Sequence, residues 1–268
     1  MRTHFSNTRN AVILGSPQGR KGMEKQMTNS KNLKQFYYCL KCEDFYEERG
    51  IVLPFKTYLS TKLAENIGDC PKGHARSINK EDVVYLPEKP TKRTNSSIVC
   101  LDIKDFSEKD QVSQFNNISI LHAACLSIRS ERFENVIYKG TGDGFVVGLP
   151  SNDVSKAIQF CEQLIGEYLK NIDFITYRIG IDYGVFFSYL DFNDREDLFG
   201  QTVIDAFRIA DFGNNNHILL SKKSADNLME SEDVKKDNLT KLGWCFDKHR
   251  KAHKVYNYKS ESIGAEFA

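Results

Sequence analysis

An excess of charge of either sign is missing from this chain. Its 268 residues carry 37 lysines and arginines against 36 aspartates and glutamates, a formal net charge of +1. Bulk electrostatics therefore ask for neither a nucleic-acid partner nor an anionic membrane surface. A long apolar run is missing too, since nothing approaches the roughly 18–20 residues that a membrane-spanning helix requires. The N-terminal region lacks the continuous apolar core of a secretory signal, the run from Ala11 to Leu14 being far too short. The seven cysteines are odd in number and unevenly spaced, which argues against a disulfide framework and for reduced thiols. A soluble cytoplasmic protein is the expectation. Hydrophobic residues make up 40% of the chain, enough for a packed core, and the length fits one large domain or a domain plus an extension.

Residues 1 to 30 are polar and irregular, rich in Asn, Ser, Thr, Arg and Lys, and read as a disordered leader; Met23 or Met27 could serve as the biological start. Residues 31 to 96 form an N-terminal extension of different composition. Aromatics cluster at Phe36, Tyr37 and Tyr38, followed by Cys39-Leu40-Lys41-Cys42 and later by Cys70-Pro71-Lys72-Gly73-His74. A Cys-x₂-Cys pair with a later Cys-x₃-His could close a tetrahedral zinc site through Cys39, Cys42, Cys70 and His74, thiolate and imidazole being preferred ligands. The gap between Cys42 and Cys70 is longer than in common zinc fingers. Two buried thiols on one element, with an unrelated Cys and His, is the alternative. Glu88 to Ser97 has the polarity of a linker and marks the start of the main domain, residues 97 to 260.

That domain is organised around Tyr138-Lys139-Gly140-Thr141-Gly142-Asp143-Gly144-Phe145. Two short apolar runs, Asn135 to Tyr138 and Phe145 to Leu149, flank a Gly-rich tetrad, so a tight β-hairpin is predicted. It lifts Asp143 to its tip, four residues after Lys139. Upstream, the apolar strand Ile98-Val99-Cys100-Leu101-Asp102-Ile103 also ends in an aspartate. Two carboxylates at adjacent strand ends are an oxygen-ligand pair suited to Mg²⁺ or Mn²⁺.

The rest alternates. A strand over 97–103 precedes a helix over 110–130, with apolar residues at Val112, Phe115, Ile118, Leu121, Ala124 and Cys125. After the hairpin comes an amphipathic helix from Val154 to Tyr168, with Ser151 or Asn152 as its expected N-cap. Strands over 174–183 and 185–190, hinged at Gly184, precede a helix over 202–210 that stops near Gly213. A short strand over 218–221, a helix over 222–229 and a last hairpin (244–246 with 255–258) complete the chain. The order β-α-β-β-α-β predicts an α+β sandwich with a ferredoxin-like core.

From about Ser97 onward the chain resembles the catalytic domain of the class III nucleotidyl cyclases, which turn a nucleoside triphosphate into a 3′,5′-cyclic nucleotide and pyrophosphate. The resemblance rests on separated motifs in the family's order. Leu101-Asp102-Ile103-Lys104-Asp105-Phe106-Ser107 is similar to the first metal motif, implying that Asp102 and the Ile103 carbonyl hold two Mg²⁺ or Mn²⁺ ions and that Phe106 lies against substrate. Lys139 to Asp143 is similar to the second, with Asp143 as the other metal carboxylate and Lys139 as a base-reading residue. Arg178-Ile179-Gly180-Ile181-Asp182-Tyr183-Gly184 resembles the central strand and turn. Asp197 falls at the second base-reading position, Arg208 where a phosphate-binding arginine sits on the transition-state helix, and Lys248 where a lysine contacts the triphosphate. The resemblance also implies a homodimer with composite sites, metal residues from one subunit and base and phosphate residues from the other. Phe186 to Leu190 and Asp191 to Glu196 are candidates for the dimer arm, or else ordinary core and a solvated loop.

Two positions depart from the family. Ile204 stands where the transition-state helix usually carries a ribose-orienting asparagine, and its neighbour Asp205 is turned by about 100° on a helix. Asp105 replaces the usual glycine after the first metal motif. Lysine with aspartate is the family's usual signature for adenine, yet the pair can also satisfy cytosine or uracil. The absence of a recognisable sensor module and the Ile204 departure make the chain similar to stand-alone bacterial cyclases. Among these are the pyrimidine cyclases of Pycsar anti-phage systems, which make cyclic UMP or cyclic CMP for a separate effector protein. Adenylate cyclase, an inactive nucleotide-binding module and a zinc-ribbon adaptor for nucleic acid are the competing readings.

Overall fold

The structure, a computed structural model, describes residues 33–53, 70–74, 83–133, 135–191, 193–231 and 235–266. The leader expected over residues 1–30 lies outside these.

Two sheets are present among the described residues. The smaller is antiparallel, with strands β1 (Leu33–Cys39), β2 (Asp44–Leu53) and β3 (Val83–Leu86) in the order β2-β1-β3. The larger begins with β4 (Thr91–Ile103), which a short 3₁₀ turn (Phe106–Glu108) and helix α1 (Gln111–Arg132) follow. The hairpin β5 (Ile137–Gly140) and β6 (Gly144–Leu149), helix α2 (Ser155–Gln163, continued by a π-helical stretch Leu164–Leu169) and β7 (Tyr177–Leu190) complete a βαββαβ unit. Its strands run β7-β4-β6-β5, all antiparallel, which is the ferredoxin-like arrangement expected. Added to it are β8 (Glu196–Phe199) against the far half of β7, helix α3 (Gln201–Asp211), β9 (His217–Ser221) parallel to β7, helix α4 (Lys222–Glu230), and the hairpin β10 (Leu239–Phe246) and β11 (Ala252–Tyr258).

The unbroken apolar run of β4 has a simple cause. Val99, Leu101 and Ile103 point into a core with Leu121 and Ile128 of α1, and with Ile158 and Cys161 of α2. Ile98 and Cys100 point to the other face, where Val203, Ala206 and Ala210 of α3 cover them. A strand buried on both faces has no polar alternation to show.

Several local expectations shift. Residues 91–97, expected as linker, form the first half of β4 and pair with β7, across an irregularity between Arg93 and Ser96. The two strands expected about Gly184 are one continuous β7. Helix α2 begins at Ser155, and neither Ser151 nor Asn152 is its cap. Instead Asp153 accepts from the Ser155 amide at 2.7 Å and from its hydroxyl at 2.6 Å. Val112 and Phe115, expected on the buried face of α1, are 69% and 73% exposed. The core face starts a turn later, at Ile118 and Leu121. Phe186 and Phe187, candidates for a dimer arm, are buried within their own chain, the first against α3 and the second under the small sheet.

Candidate active site

Backbone geometry brings Asp102 and Asp143 together. Asp102 lies opposite Gly144 in the β4–β6 ladder, and a Cβ on Gly144 would sit 2.0 Å from the Leu101 carbonyl oxygen. No other residue allows so close an approach. Gly142 takes φ +96° to close the turn, and the Ile103 amide donates to the Asp143 carbonyl at 2.9 Å. The strand end and the hairpin tip are thereby fixed to each other.

Arg178 lies opposite Asp102 on β7. Its Nε donates to Asp102 Oδ2 at 2.6 Å and its Nη2 reaches Asp211 of α3 at 3.2 Å. Burial pushes the Asp102 carboxyl up from its ordinary value. Arg178 pulls it back, the nearby Asp143 charge pushes it up again, and the balance is upward. A crowded carboxylate pair is a hard oxygen donor set, and a divalent cation relieves its repulsion. The residues present fit Mg²⁺ or Mn²⁺ held by Asp102, Asp143 and the Ile103 carbonyl.

Asp105 occupies the left-handed region, with φ 54° and ψ 28°. That is where a glycine is at ease, and aspartate is among the few other residues that tolerate it. Phe106 is half-buried and packs against the main core.

A second group lies where β5 meets β8. Lys139 Nζ is 2.7 Å from Asp197 Oδ2. The Tyr189 hydroxyl donates to the same oxygen at 2.9 Å, and the Leu198 amide donates to Oδ1 at 2.6 Å.

The third group surrounds Arg208 on α3. Its Nε lies 3.2 Å from Asp247 Oδ2 in the β10–β11 turn, and its Nη1 lies 3.5 Å from Asp205. Asp205 also accepts from Gln201 at 2.8 Å and from Lys251 at 3.0 Å, so it faces Arg208 rather than turning away. Ile204 is 46% exposed. Lys248 stands beside Asp247, exposed to solvent. Burial alone would raise the Asp247 carboxyl, but amide donors from Lys251 and His249, the His253 ring and Arg208 reverse this and bring it down to about 2.

Among the described residues, no ion pair or hydrogen bond joins the Asp102–Asp143 group to the Lys139–Asp197 group or to the Arg208 group. Arg178, Tyr189 and Asp247 were missed as site residues in the sequence. Arg178 stood inside a quoted motif, but its meeting with Asp102 depends on cross-strand register.

The small sheet carries a separate cluster. Cys39 ends β1, Cys42 sits in the β1–β2 turn, and the Cys70–His74 turn closes with the Gly73 amide donating to the Cys70 carbonyl at 2.7 Å. One ligand atom from each of Cys39, Cys42, Cys70 and His74 lies within 4.8 Å of the others. Cys42 Sγ is 3.8 Å from Cys70 Sγ and 3.1 Å from His74 Nδ1, and Cys39 Sγ is 3.9 Å from that nitrogen. All seven cysteines are free thiols. The reading of an unrelated Cys and His is therefore set aside: the four side chains converge.

No protein-family model matches the chain, and no curated protein matches it in sequence. Solved structures do match in shape. The catalytic core of a rhodopsin-guanylyl cyclase with converted specificity, in complex with ATPαS, superposes with a TM-score of 0.54 at 19% identity, covering 64% of this chain and 98% of that one. A guanylate cyclase domain from Catenaria anguillulae in complex with GTP gives 0.53 at 18% identity, over 63% and 98% of the two chains. Adenylate cyclases from Trypanosoma brucei in their monomeric state give 0.53 at 16%, over 65% and 91%. The fold is that of a nucleotidyl cyclase catalytic domain. No helix among the described residues is long and apolar enough to cross a membrane.

Proposed function

We propose that this protein is a cytoplasmic class III nucleotidyl cyclase that converts a nucleoside triphosphate to a 3′,5′-cyclic nucleotide and pyrophosphate. The observation that carries this reading is the meeting of Asp102 and Asp143 at one end of a ferredoxin-like sheet within a cyclase fold. The reaction needs no side-chain nucleophile, because the ribose 3′-oxygen itself attacks the α-phosphorus. Two Mg²⁺ or Mn²⁺ ions, held by Asp102, Asp143 and the Ile103 carbonyl, would acidify that hydroxyl and neutralise the phosphates. Arg178 neutralises Asp102 and stays at the rim of the carboxylate pair, where its guanidinium can turn to phosphate oxygens. Arg208 and Lys248 supply positive charge for the developing oxyanion and the leaving pyrophosphate.

Among the described residues no ion pair or hydrogen bond joins the three groups within one chain, which is compatible with a homodimer with composite sites, metal residues facing the partner's Lys139, Asp197, Arg208 and Lys248. Ile204, Trp244 and Phe246, 46%, 67% and 67% exposed, are apolar surface suited to that contact.

For the base, the Ile204 departure and the likeness to stand-alone bacterial cyclases tilt the reading to a pyrimidine nucleotide, giving cyclic UMP or cyclic CMP as a second messenger for a separate effector protein in anti-phage defence. The Lys139–Asp197 pair itself favours the second reading, an adenylate cyclase. Incubation with Mn²⁺ and each of ATP, GTP, CTP and UTP, with products resolved by mass spectrometry, tests the proposal. Cyclic UMP or cyclic CMP is expected. Cyclic AMP would install the second reading, and no product from any of the four would return the chain to an inactive nucleotide-binding module.

Cys39, Cys42, Cys70 and His74 form a structural Zn²⁺ site in this reading. Two sulfurs each about 2.3 Å from a tetrahedral ion lie about 3.8 Å apart, and the Cys42–Cys70 separation is 3.8 Å.

A further inference from the structure

The zinc cluster is not remote from the base-reading pair. Tyr38 adjoins Cys39 in sequence, and Phe45 follows Cys42 by three residues. These two rings are 5.0 Å apart and meet Phe187 of β7, edge-on, at 6.0 Å and 5.1 Å. Phe187 stacks on Phe199 of β8 at 5.4 Å, and Phe45 also reaches Phe199 at 5.9 Å. Tyr189 stands edge-on to Phe199 at 5.4 Å, and its hydroxyl holds Asp197. Strand β8 is four residues long and pairs only with β7 among the described residues. Beyond that ladder it is held by Leu198, buried in the core under α3, by the Lys139–Asp197 and Arg129–Glu196 pairs, and by this stack of rings. The stack is the part of that support that leads back to the small sheet.

We propose that the metal-clasped small sheet is a positioning device for the base-reading carboxylate: Zn²⁺ on Cys39, Cys42, Cys70 and His74 fixes Tyr38 and Phe45, which seat Phe187 and Phe199 and so set Tyr189 and Asp197. The idea rests on the zinc reading given above, and it makes Phe45, Phe187, Phe199 and Tyr189 positioning residues for nucleotide selection. Without the ion, three thiols and an imidazole have no common partner, and the turn bearing Cys42 loosens from Cys70 and His74. Loss of the clasp is expected to relax β8 and blunt discrimination between bases. The Asp102–Asp143 pair, fixed by the β4–β6 ladder and the β5–β6 turn, is expected to be unaffected.

Three preparations of the full chain test this: wild type as purified, wild type stripped by chelation and dialysed before Mn²⁺ is added, and Phe45→Leu, which keeps the ligands. Zinc content is measured on each, with hydrogen exchange of residues 186–200 and of 97–103, and KM and kcat for the four nucleoside triphosphates. The expected result is about one zinc per chain in wild type and in Phe45→Leu. Stripping should speed exchange over 186–200 but not over 97–103. It should also raise KM for the preferred nucleotide about tenfold and flatten the base preference, with kcat changed less. Phe45→Leu should move the same readouts part-way with zinc retained, and Zn²⁺ added back should restore the stripped protein. Bound zinc whose removal leaves exchange over 186–200 and KM unchanged would overturn the positioning role and leave the metal site standing. Absence of zinc, with no thiolate-to-metal absorption band on adding Co²⁺, would overturn both. Should the protein cyclise nothing, the exchange pattern alone still decides the proposal.

Discussion

Asp102 and Asp143 are held by backbone. A strand end, a glycine that lets two chains touch and one amide-to-carbonyl bond at 2.9 Å fix their separation, and little else is needed. Lys139 and Asp197 sit in their own ladders and keep the Leu198 amide, but their side chains also depend on each other, on a tyrosine of β7 and on a stack of rings that leads back to a different sheet. A group that must hold charged oxygens at fixed geometry gains from backbone, whose position is set by ladders that side-chain changes scarcely move. A group that must distinguish one base from another gains from packing, which can be retuned by single substitutions.

The largest effect tests the first half of that contrast. Asp102→Ala or Asp143→Ala should cut cyclic nucleotide formation by about 10³-fold or more, beyond the 10²–10³ typical of losing one transition-state donor. Nucleotide binding and the folded core should survive, as a pyrophosphate-release assay beside a thermal melt would show. Retained turnover in both variants would remove the carboxylate pair from the chemistry.

Gly144→Ala adds one methyl group and touches no functional side chain. Its Cβ would press on the Leu101 carbonyl at 2.0 Å, so the hairpin must shift from β4. A loss of about 1–3 kcal/mol in unfolding free energy is expected, together with most of the activity. A fully active, fully stable Gly144→Ala would mean that the backbone is not what sets the carboxylate separation.

Lys139→Ala addresses the other end. With Tyr189 and the Leu198 amide still on Asp197, the fold should be unaffected. The preference among the four nucleotides should shrink by about 10- to 100-fold, mostly through KM. An unchanged preference would place base reading elsewhere.

The smallest effect is in acid. The Asp247 carboxyl is lowered from its ordinary 3.8 to about 2 by its donors. A depressed carboxyl contributes stability that is present above its unfolded value and lost as pH falls through the folded one. Wild type should therefore lose stability between about pH 4 and 2, and Asp247→Asn should show a shallower decline there, measurable as the pH dependence of the urea midpoint. Equal slopes would say that Asp247 holds Arg208 without favouring its own ionised form.

The same contrast explains what the sequence disclosed. The hairpin and the aspartate ending β4 were readable because glycines, a strand end and short spacing express them directly, and the β-α-β-β-α-β order followed from periodicity. Tyr189 and Arg178 were not readable as site residues, since their roles depend on which residues face each other across β7–β8 and β4–β7. Phe187 reads in the sequence as either dimer arm or ordinary core, because nothing in its own strand predicts the small sheet that covers it. Val112 and Phe115 keep the helical period of α1 yet are exposed, because periodicity carries no knowledge of what lies beneath a helix turn. The left-handed backbone of Asp105 was likewise not legible from its residue type.

In the proposed homodimer, a second chain brings the metal residues and the phosphate residues together. The direct test is to mix Asp143→Ala with Arg208→Ala, each inactive alone, and measure cyclic nucleotide production. A heterodimer holds one intact composite site, so random exchange of subunits should return activity to about a quarter of wild type. A mixture that forms heterodimers yet stays inactive would contradict the composite site and require the metal and phosphate residues to meet within one chain.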